Sequence, residues 1–218
     1  MRVNAAQKAK LYDLAAAIPM MAWLVLGIGG SLLRITQMLD AHGDVLAICS
    51  QLANVAFLSL LTLLVIIRCP AVRKARGLLP RGAGIVGVLL PSVFLALPRA
   101  KLTPAMAIFS SATALLGIIS AIFIACWLGR SFGILPQARS LVTEGPYSVV
   151  RHPLYLAELI VVFGGMWQFD YPWSFCAMFL TITAQIPRMH YEERVLMEAF
   201  PSYRDYADRT ARLLPGIY

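Results

Sequence analysis

Residues 142–158, VTEGPYSVVRHPLYLAE, hold most of the reactive side chains of an otherwise apolar sequence. Gly145-Pro146 predicts a turn, because proline fixes its own φ and disfavours helix in the residue before it. Pro153 fits the first position of a helix, where its missing N–H leaves no hydrogen bond unmade. Tyr155 and Glu158 would then lie about one turn apart on the same helix face.

Arg151 and His152 stand directly before this predicted helix. Free N–H groups at a helix N-terminus attract anionic or polar ligands, and two basic side chains beside them would strengthen such a site. Basic residues that border an apolar run can equally mark the membrane–water boundary, where long cationic side chains extend into water. The residues alone support both interpretations equally.

A second polar group follows the last apolar run, where the sequence reads RMHYEER from Arg188. Arg188 and Glu192 are four residues apart, so a helix would present both on one face. The simplest interpretation is a surface ion pair that adds a few tenths of a kcal/mol, about 0.3–0.5, to stability.

The composition is that of an integral membrane protein, with 59% hydrophobic and 14% charged residues among 218. The net charge of +8 does not indicate a nucleic-acid partner, because the basic residues lie between apolar runs. Four cysteines are far apart and lack metal-site spacing, so we expect packing residues without a disulfide or a metal.

The fold class expected from the apolar runs is all-α, with about six transmembrane helices. The last two runs are short and separated by Asp170 and Pro172, which predicts a helical hairpin. Asn54, inside the second run, is expected to form a hydrogen bond between helices. No cleavage site follows the first run convincingly, so it should remain as an anchor. The runs cover residues 11–33, 45–67, 82–97, 104–128, 154–169 and 171–186.

Charge distribution predicts the orientation of these helices. With six spans, all but three of the 19 Lys and Arg residues fall on one side, the exceptions being Arg34, Arg99 and Lys101. The positive-inside rule makes that side cytoplasmic. Both termini and the loop 129–151 would then face the cytoplasm, in a plasma or inner membrane. We expect four N-terminal spans in residues 1–128 and a functional core in residues 129–218.

The order of motifs in this core is similar to that of the isoprenylcysteine carboxyl methyltransferase family. The motifs are GPYSVVRHPLYLAE, an apolar hairpin, R-x-x-x-EE, F-x-x-Y-x-x-Y and a closing LLP. Members are integral-membrane enzymes that use S-adenosylmethionine, and the resemblance covers roughly residues 129–218. RHPxY alone is shared with phospholipid N-methyltransferases, and sterol reductases carry a similar His-Pro-x-Tyr. Its combination with R-x-x-x-EE at this distance is strong evidence for the methyltransferase group.

The resemblance implies roles for individual residues. It implies Arg188 and Glu192 as catalytic residues, with Arg188 and Glu158 at the substrate. Ala157 and Arg139 stand where family members often have glycine and, in animal enzymes, histidine, so the acceptor stays open. The implied cofactor pocket is lined by Ser140, Leu141, Val142, Tyr147, His152, Pro153, Tyr155 and Glu192.

The chemistry of methyl transfer agrees with these residue types. Displacement at a sulfonium methyl group requires positioning more than acid–base catalysis. A carboxylate, tyrosine faces and free helix N–H groups suit a donor that combines a sulfonium with a zwitterionic end. The planar guanidinium of Arg188 suits a substrate carboxylate. We therefore expect S-adenosylmethionine, a lipophilic or prenylated substrate and membrane lipids as partners, and neither nucleic acid nor metal.

Other functions remain open at this point. The acceptor could be a prenyl-thiol carboxylate, a phospholipid amine or a small thiol. A reductase of the sterol-reductase kind would bind NADPH with a similar His-Pro-x-Tyr, and Glu158 favours it slightly, whereas Glu192-Glu193 argues against it. A six-span transporter or scaffold is less consistent with the sequence, because transporters distribute polar interruptions over two related halves.

Overall fold

The chain folds mainly into α-helices. A computed structural model describes residues 5–40 and 44–216. Two short strands, β1 (Arg73–Lys74) and β2 (Gln137–Ala138), form an antiparallel pair in which Arg73 opposes Ala138 and Lys74 opposes Gln137. The helices are α1 (Ala5–Ala15), α2 (Ile18–Asp40), α3 (Val45–Ile67), α4 (Leu78–Leu89), α5 (Pro104–Leu128), α6 (Pro153–Met166), α7 (Trp173–Ala199) and α8 (Tyr203–Arg209).

Four helical segments among the described residues are long and apolar enough to cross a membrane: Ile18–Asp40, Val45–Ile67, Leu78–Ala96 and Pro104–Ser131. The third combines α4 with a 3-10 turn that contains Pro91. At 14 residues α6 spans only about 21 Å, less than the ~30 Å hydrocarbon core. The expected six spans are therefore not confirmed; helices α3 and α5, however, have the predicted bounds.

The first span begins at Ile18 and not at residue 11 as predicted, and α1 forms a separate helix before it. The reason is Asp13, which is buried next to the guanidinium groups of Arg68 and Arg139. An ionised carboxylate with these partners belongs outside the hydrocarbon core. Pro19 then lies in the first turn of α2, where proline is tolerated.

Helix α5 is the centre of the packing and lies close to both α3 and α6. Two glycines allow the close approach of α5 and α6. A Cβ on Gly117 would lie 2.7 Å from the backbone nitrogen of Val161, and one on Gly164 would collide with the backbone of Ala114. Ser110 also donates to the carbonyl oxygen of Gly164 at 2.7 Å. This contact holds α6, and with it the predicted active-site motif, against the core.

Helices α6 and α7 form the predicted hairpin, with Asp170 in the connection. Backbone hydrogen bonds tie this connection to the loop before α5, including Asp170 N to Pro98 O at 3.0 Å. At the opposite end of the helices, Cys69 N donates to Arg130 O at 2.9 Å, and Arg73 pairs with Glu198 at 2.9 Å. The chain segments that carry the candidate site therefore lie together at this end of the helices, opposite to the connection that contains Asp170.

The predictions for Asn54 and for the four cysteines had different outcomes. Asn54 donates to the hydroxyl of Ser31 at 2.9 Å, which confirms the hydrogen bond between α3 and α2. The cysteines are free, but Cys49, Cys126 and Cys176 are exposed on helix surfaces. The prediction that they serve as packing residues is therefore wrong for these three.

Candidate active site

Arg151 and His152 are anchored by a buried carboxylate at the N-terminus of α6. Glu193 accepts from Arg151 Nε at 2.9 Å, and its Oε1 lies 3.1 Å from His152 Nε2. Arg212 donates to the same carboxylate at 2.7 Å. These side chains are therefore bound inside the protein and do not extend into water in the way that the membrane-boundary interpretation of Arg151 and His152 requires.

The C-terminal segment completes this anchor through its backbone. Val150 and Ala211 form a parallel bridge, Arg151 N donates to Ala211 O at 2.8 Å, and His152 N donates to Arg212 O at 3.1 Å. The guanidinium of Arg151 also donates to the carbonyl of Thr210 at 2.6 Å. The start of α6 thus has its position fixed by residues about 60 positions later in the sequence.

The charge state of Glu193 follows from these contacts. Burial favours its neutral form, but hydrogen bonds from His152 and Arg212 and the nearby charges of His152 and Arg151 outweigh burial and lower the pKa to about 2. Glu193 is therefore a carboxylate at physiological pH, surrounded by cationic or hydrogen-bonding partners.

A stripe of polar residues runs along one face of α7, at the spacing of successive helical turns. Its members are Thr181, Gln185, Arg188 and Glu192. Tyr155 on α6 donates its hydroxyl to Glu192 Oε2 at 2.7 Å. Glu192 forms no ion pair with any residue in the described part of the chain, in contrast to its neighbour Glu193. Glu192 therefore faces α6 with a tyrosine hydroxyl, and with no direct ion pair to a described residue, at its carboxylate.

Arg188 is 3% exposed and is not the surface residue that the simplest sequence interpretation suggests. Its Nη1 donates to Gln185 at 2.7 Å and to Glu158 at 3.4 Å, and its guanidinium carbon lies 4.5 Å from the ring centre of Tyr155. Its Nε is buried without a hydrogen-bond partner. Gly87 on α4 makes room for this side chain, because a Cβ there would collide with Arg188 Cδ.

A cavity of about 230 Å³ lies between the helices, next to the polar stripe of α7. Its wall is mostly apolar, and the polar stripe of α7 forms one side of it. Asn54, Tyr155 and Glu158 also line the cavity. Such a shape suits a lipophilic molecule with one polar end.

A smaller pocket of about 50 Å³ lies outside the first, between the loop 131–147 and the C-terminal helices. Ser140, Leu141 and Val142 line one side of it, and Tyr203 and Tyr206 the other. Tyr206 fixes the loop by donating to the carbonyl of Tyr147 at 2.6 Å. Burial, followed by the charge of Glu192, raises the pKa of Tyr147 above its ordinary range, so its phenol stays protonated.

The two cavities meet at Tyr147, Arg151, His152 and Glu192, which line both. His152 also stacks on Tyr155, with ring centres 5.3 Å apart. A molecule in the outer pocket and one in the inner cavity could therefore approach each other beside Glu192. Arrangements of this kind suit group transfer between two bound molecules.

Most of the predicted site residues lie in this region, although their roles stay predictions. Ser140, Leu141, Val142, Tyr147, His152 and Glu192 line the smaller pocket, whereas Tyr155, Glu158 and Arg188 line the larger cavity. Pro153 lines neither and serves as the first residue of α6. In the described part of the chain, no three His, Cys, Asp or Glu side chains come together as possible metal ligands.

Sequence reasoning missed several residues around the site. Glu193 was not distinguished from Glu192, and Arg212 was not recognised as its partner. Thr181 and Gln185 could have been found, because they lie on the same helical face as Arg188 and Glu192 inside an apolar run. Tyr203 and Tyr206 were noticed only as part of a motif; both are buried beside the smaller pocket.

Residues 100–202 match the sequence model of the phospholipid methyltransferase family. This segment is slightly less than half of the chain. It includes α5, the loop with the smaller pocket, the hairpin of α6 and α7, and Glu192. The family is related to the membrane methyltransferases that the motif order resembles.

Two curated proteins are similar to a shorter part of the chain. The cobalt-zinc-cadmium resistance protein CzcN of Cupriavidus metallidurans is 35% identical over 79 residues, which is 36% of this chain and 37% of that protein. The nickel-cobalt-cadmium resistance protein NccN of Alcaligenes xylosoxydans xylosoxydans is 31% identical over 82 residues, or 37% and 38% respectively. The aligned parts thus span less than two fifths of either relative, and the phospholipid methyltransferase match is the more extensive likeness.

Proposed function

We propose that this protein is an integral membrane methyltransferase that transfers a methyl group from S-adenosylmethionine to a lipophilic acceptor. The observation that supports this proposal most strongly is the position of Glu192. Its carboxylate, which forms no direct ion pair among the described residues, lies where a pocket beside the polar loop meets an apolar cavity between helices. The match to phospholipid methyltransferases over residues 100–202 agrees with this chemistry.

The residues around the smaller pocket fit the methyl donor. When bound, S-adenosylmethionine supplies an electrophilic methyl group on a cationic sulfur. Glu192 would attract that charge, and the aromatic rings of Tyr147 and Tyr155 offer further electrostatic stabilisation of a cation. Ser140, Leu141 and Val142 supply backbone and side-chain groups along the rest of the pocket.

The larger cavity fits an acceptor with a hydrocarbon part and an anionic group. Nε and Nη2 of Arg188 form no hydrogen bond with the described residues, so a ligand that reaches this buried edge of the guanidinium would supply the missing acceptors. This edge matches a carboxylate or phosphate in two parallel hydrogen bonds. The carboxylate of an isoprenylcysteine-like molecule is our first candidate, and a phospholipid, with its phosphate on Arg188 and its amine as the methyl acceptor, is the second.

The side chains of the site would divide the work of orientation. Tyr155 holds the carboxylate of Glu192 through its hydroxyl, while Glu158 and Gln185 hold Nη1 of Arg188. Arg188 would position the acceptor, and Glu192 the donor, about one helical turn apart. The apolar wall of the inner cavity would exclude water from the reacting atoms. If the acceptor is an amine, Glu158 is the nearest carboxylate to Arg188 that could accept its proton.

We further propose that the end with the site faces the cytoplasm of a plasma or inner membrane. Two of the three basic residues assigned to the outer side of the membrane, Arg34 and Arg99, are close enough for their charges to interact. They lie at the end of the helices opposite to the candidate site. Helix α6 and the apolar half of α7 would then enter the membrane as a hairpin that does not need full spanning length.

A labelled methyl-transfer assay tests the proposed activity. Purified protein in detergent is incubated with S-adenosylmethionine labelled on its methyl group, together with total membrane lipid or thiol extracts. We expect label in a lipid-soluble product with wild-type protein and a strong loss with Glu192→Gln. Glu198→Gln, an exposed carboxylate on the same helix, is the matched control. Absence of labelled product, combined with binding of NADPH by calorimetry, would instead support a reductase.

A further inference from the structure

A third cavity, of about 260 Å³, lies between the start of α2, helix α4 and the residues before β2. Apolar side chains form most of its wall, among them Met20, Trp23, Ile85 and Leu89. Its polar lining consists of Asp13, Arg68, Lys74 and Gln137. The cavity therefore has one charged end and a larger apolar part.

The charged end carries an excess of positive charge. Asp13 lies 2.8 Å from Arg68, 3.2 Å from Arg139 and 3.8 Å from Lys74. Burial favours the neutral acid, but hydrogen bonds and charges from Arg139 and Arg68 outweigh it and lower the pKa of Asp13. Three cations thus surround one carboxylate that is already ionised, so two positive charges stay uncompensated.

Two of these cations keep hydrogen-bond donors available at the cavity. Arg68 uses Nε and Nη2 on Asp13, and its Nη1 forms no hydrogen bond with the described residues. Lys74 is half exposed, and its 3.8 Å distance to Asp13 exceeds hydrogen-bond length. An anion at this end could therefore accept hydrogen bonds from both side chains without displacing Asp13.

We propose that this cavity binds a lipid with a net-anionic phosphate headgroup. The phosphate would lie at Arg68 and Lys74, and part of an acyl chain would fill the apolar region. Charge complementarity selects an anionic headgroup, and the apolar wall favours an attached hydrocarbon over a free anion. The lipid would connect α1, the end of α3, β1 and α4, and so stabilise the fold. The cavity adjoins the inner cavity of the candidate active site, because Trp23, Val88 and Ile134 line both.

Nonspecific attraction is the main competing explanation. Arg76 and Arg81 are exposed in the same basic segment, and such residues attract any anionic membrane surface by about 1 kcal/mol each. A specific site must therefore depend on Lys74 and on the apolar wall more than on other charges nearby.

Thermal unfolding of delipidated protein in a neutral detergent tests the site. The midpoint is measured while phosphatidylglycerol is added, and separately with phosphatidylcholine of the same acyl chains, diacylglycerol or glycerol 3-phosphate. We expect a saturable rise with phosphatidylglycerol at a concentration about tenfold lower than with phosphatidylcholine. Diacylglycerol should have little effect because it lacks the phosphate, and glycerol 3-phosphate should have little effect because it lacks the acyl chains. Equal effects of phosphatidylglycerol and phosphatidylcholine, or a full effect of glycerol 3-phosphate, would overturn the proposal.

Variants distinguish a site from general attraction. Lys74→Gln should weaken the phosphatidylglycerol effect about fivefold, whereas Arg81→Gln, a loss of the same charge outside the cavity, should leave it nearly unchanged. Ile85→Trp should reduce the effect by filling the apolar part, and Leu116→Trp on a different exposed helix surface is its control. If Lys74→Gln and Arg81→Gln weaken the phosphatidylglycerol effect equally, the lipid is attracted only to the basic surface and the proposal fails. None of these measurements depends on methyl transfer, so the proposal can fail or hold independently of the proposed enzyme activity.

Discussion

Tyr155 on α6 donates its hydroxyl to Glu192 on α7 across a distance of 2.7 Å, and Glu192 forms no direct ion pair among the described residues. The adjacent Glu193 instead contacts three basic side chains, those of Arg151, His152 and Arg212. Two neighbouring carboxylates thus have different environments: Glu192 lines two cavities, and Glu193 is part of the folded framework.

Replacing Glu192 with glutamine should weaken donor binding by about 1–3 kcal/mol, the range for a hydrogen bond to a charged group. The change keeps the shape of the side chain and removes its charge. Calorimetric titration with S-adenosylmethionine measures the affinity, and Glu198→Gln on the same helix should match wild type. Unchanged affinity in Glu192→Gln would show that this carboxylate does not hold the donor.

Replacing Arg188 with lysine separates recognition of the acceptor from recognition of the donor. Lysine keeps the charge but loses the planar edge that binds a carboxylate or phosphate in two hydrogen bonds. We expect methyl transfer to fall at least about tenfold, equivalent to roughly 1.4 kcal/mol in the activation barrier. Donor affinity should stay close to wild type. A loss of donor binding in this variant would contradict the proposed division between Arg188 and Glu192.

Adding one methyl group at Gly87 should disturb the same arginine from a different helix. A Cβ at this position would collide with Arg188 Cδ, and overpacking of a buried site costs about 1–3 kcal/mol. Gly87→Ala should therefore lower both the unfolding temperature and the methyl-transfer rate. Gly82→Ala on the same helix meets no atom within 4 Å and should be neutral or slightly stabilising. Equal behaviour of the two variants would show that Arg188 tolerates displacement.

Acid should weaken the contribution of Glu193 to stability. Its folded-state pKa of about 2 lies below its ordinary value of 4.5, so its stabilising effect is complete above about pH 4.5 and decreases as pH falls toward 2. Glu193→Gln should be less stable than wild type at pH 7, because it leaves buried basic groups unpaired. The difference in unfolding temperature should become smaller below about pH 4.5. A difference independent of pH would show that the negative charge of Glu193 is not what stabilises this region.

Single-cysteine labelling tests the orientation of the helices. Cysteines at Ala71 and Gln137 should react from the same side, because Val72 N donates to Ala138 O and these segments adjoin. A cysteine at Asp170 should react from the other side. With a membrane-impermeant reagent on intact cells, only the Asp170 position should be labelled if the site faces the cytoplasm. Labelling of all three positions would rule out this arrangement.

Local sequence patterns were sufficient for the parts of the fold that depend on local properties. The bounds of α3 and α5 follow from uninterrupted apolar runs, and Pro153 marks the start of α6. The start of α2 was predicted wrongly, because Asp13 is neutralised by Arg68 and Arg139, which are far away in the sequence. Spacing also could not show which of Glu192 and Glu193 faces a cavity. That distinction depends on contacts with Tyr155 and with Arg212, which only the folded chain brings together.

The contacts between the start of α6 and residues 207–212 have a consequence for how the protein acquires its site during synthesis. Helices α2 to α5 can insert and pack before translation reaches this segment. The backbone of Arg151 and His152, however, has no hydrogen-bond acceptors at Ala211 and Arg212 until those residues leave the ribosome. The smaller pocket also lacks one wall until Tyr203 and Tyr206 are available. A nascent chain that ends before Ala207 would therefore contain all four of the described segments that are long enough to span the membrane and still have an incomplete site.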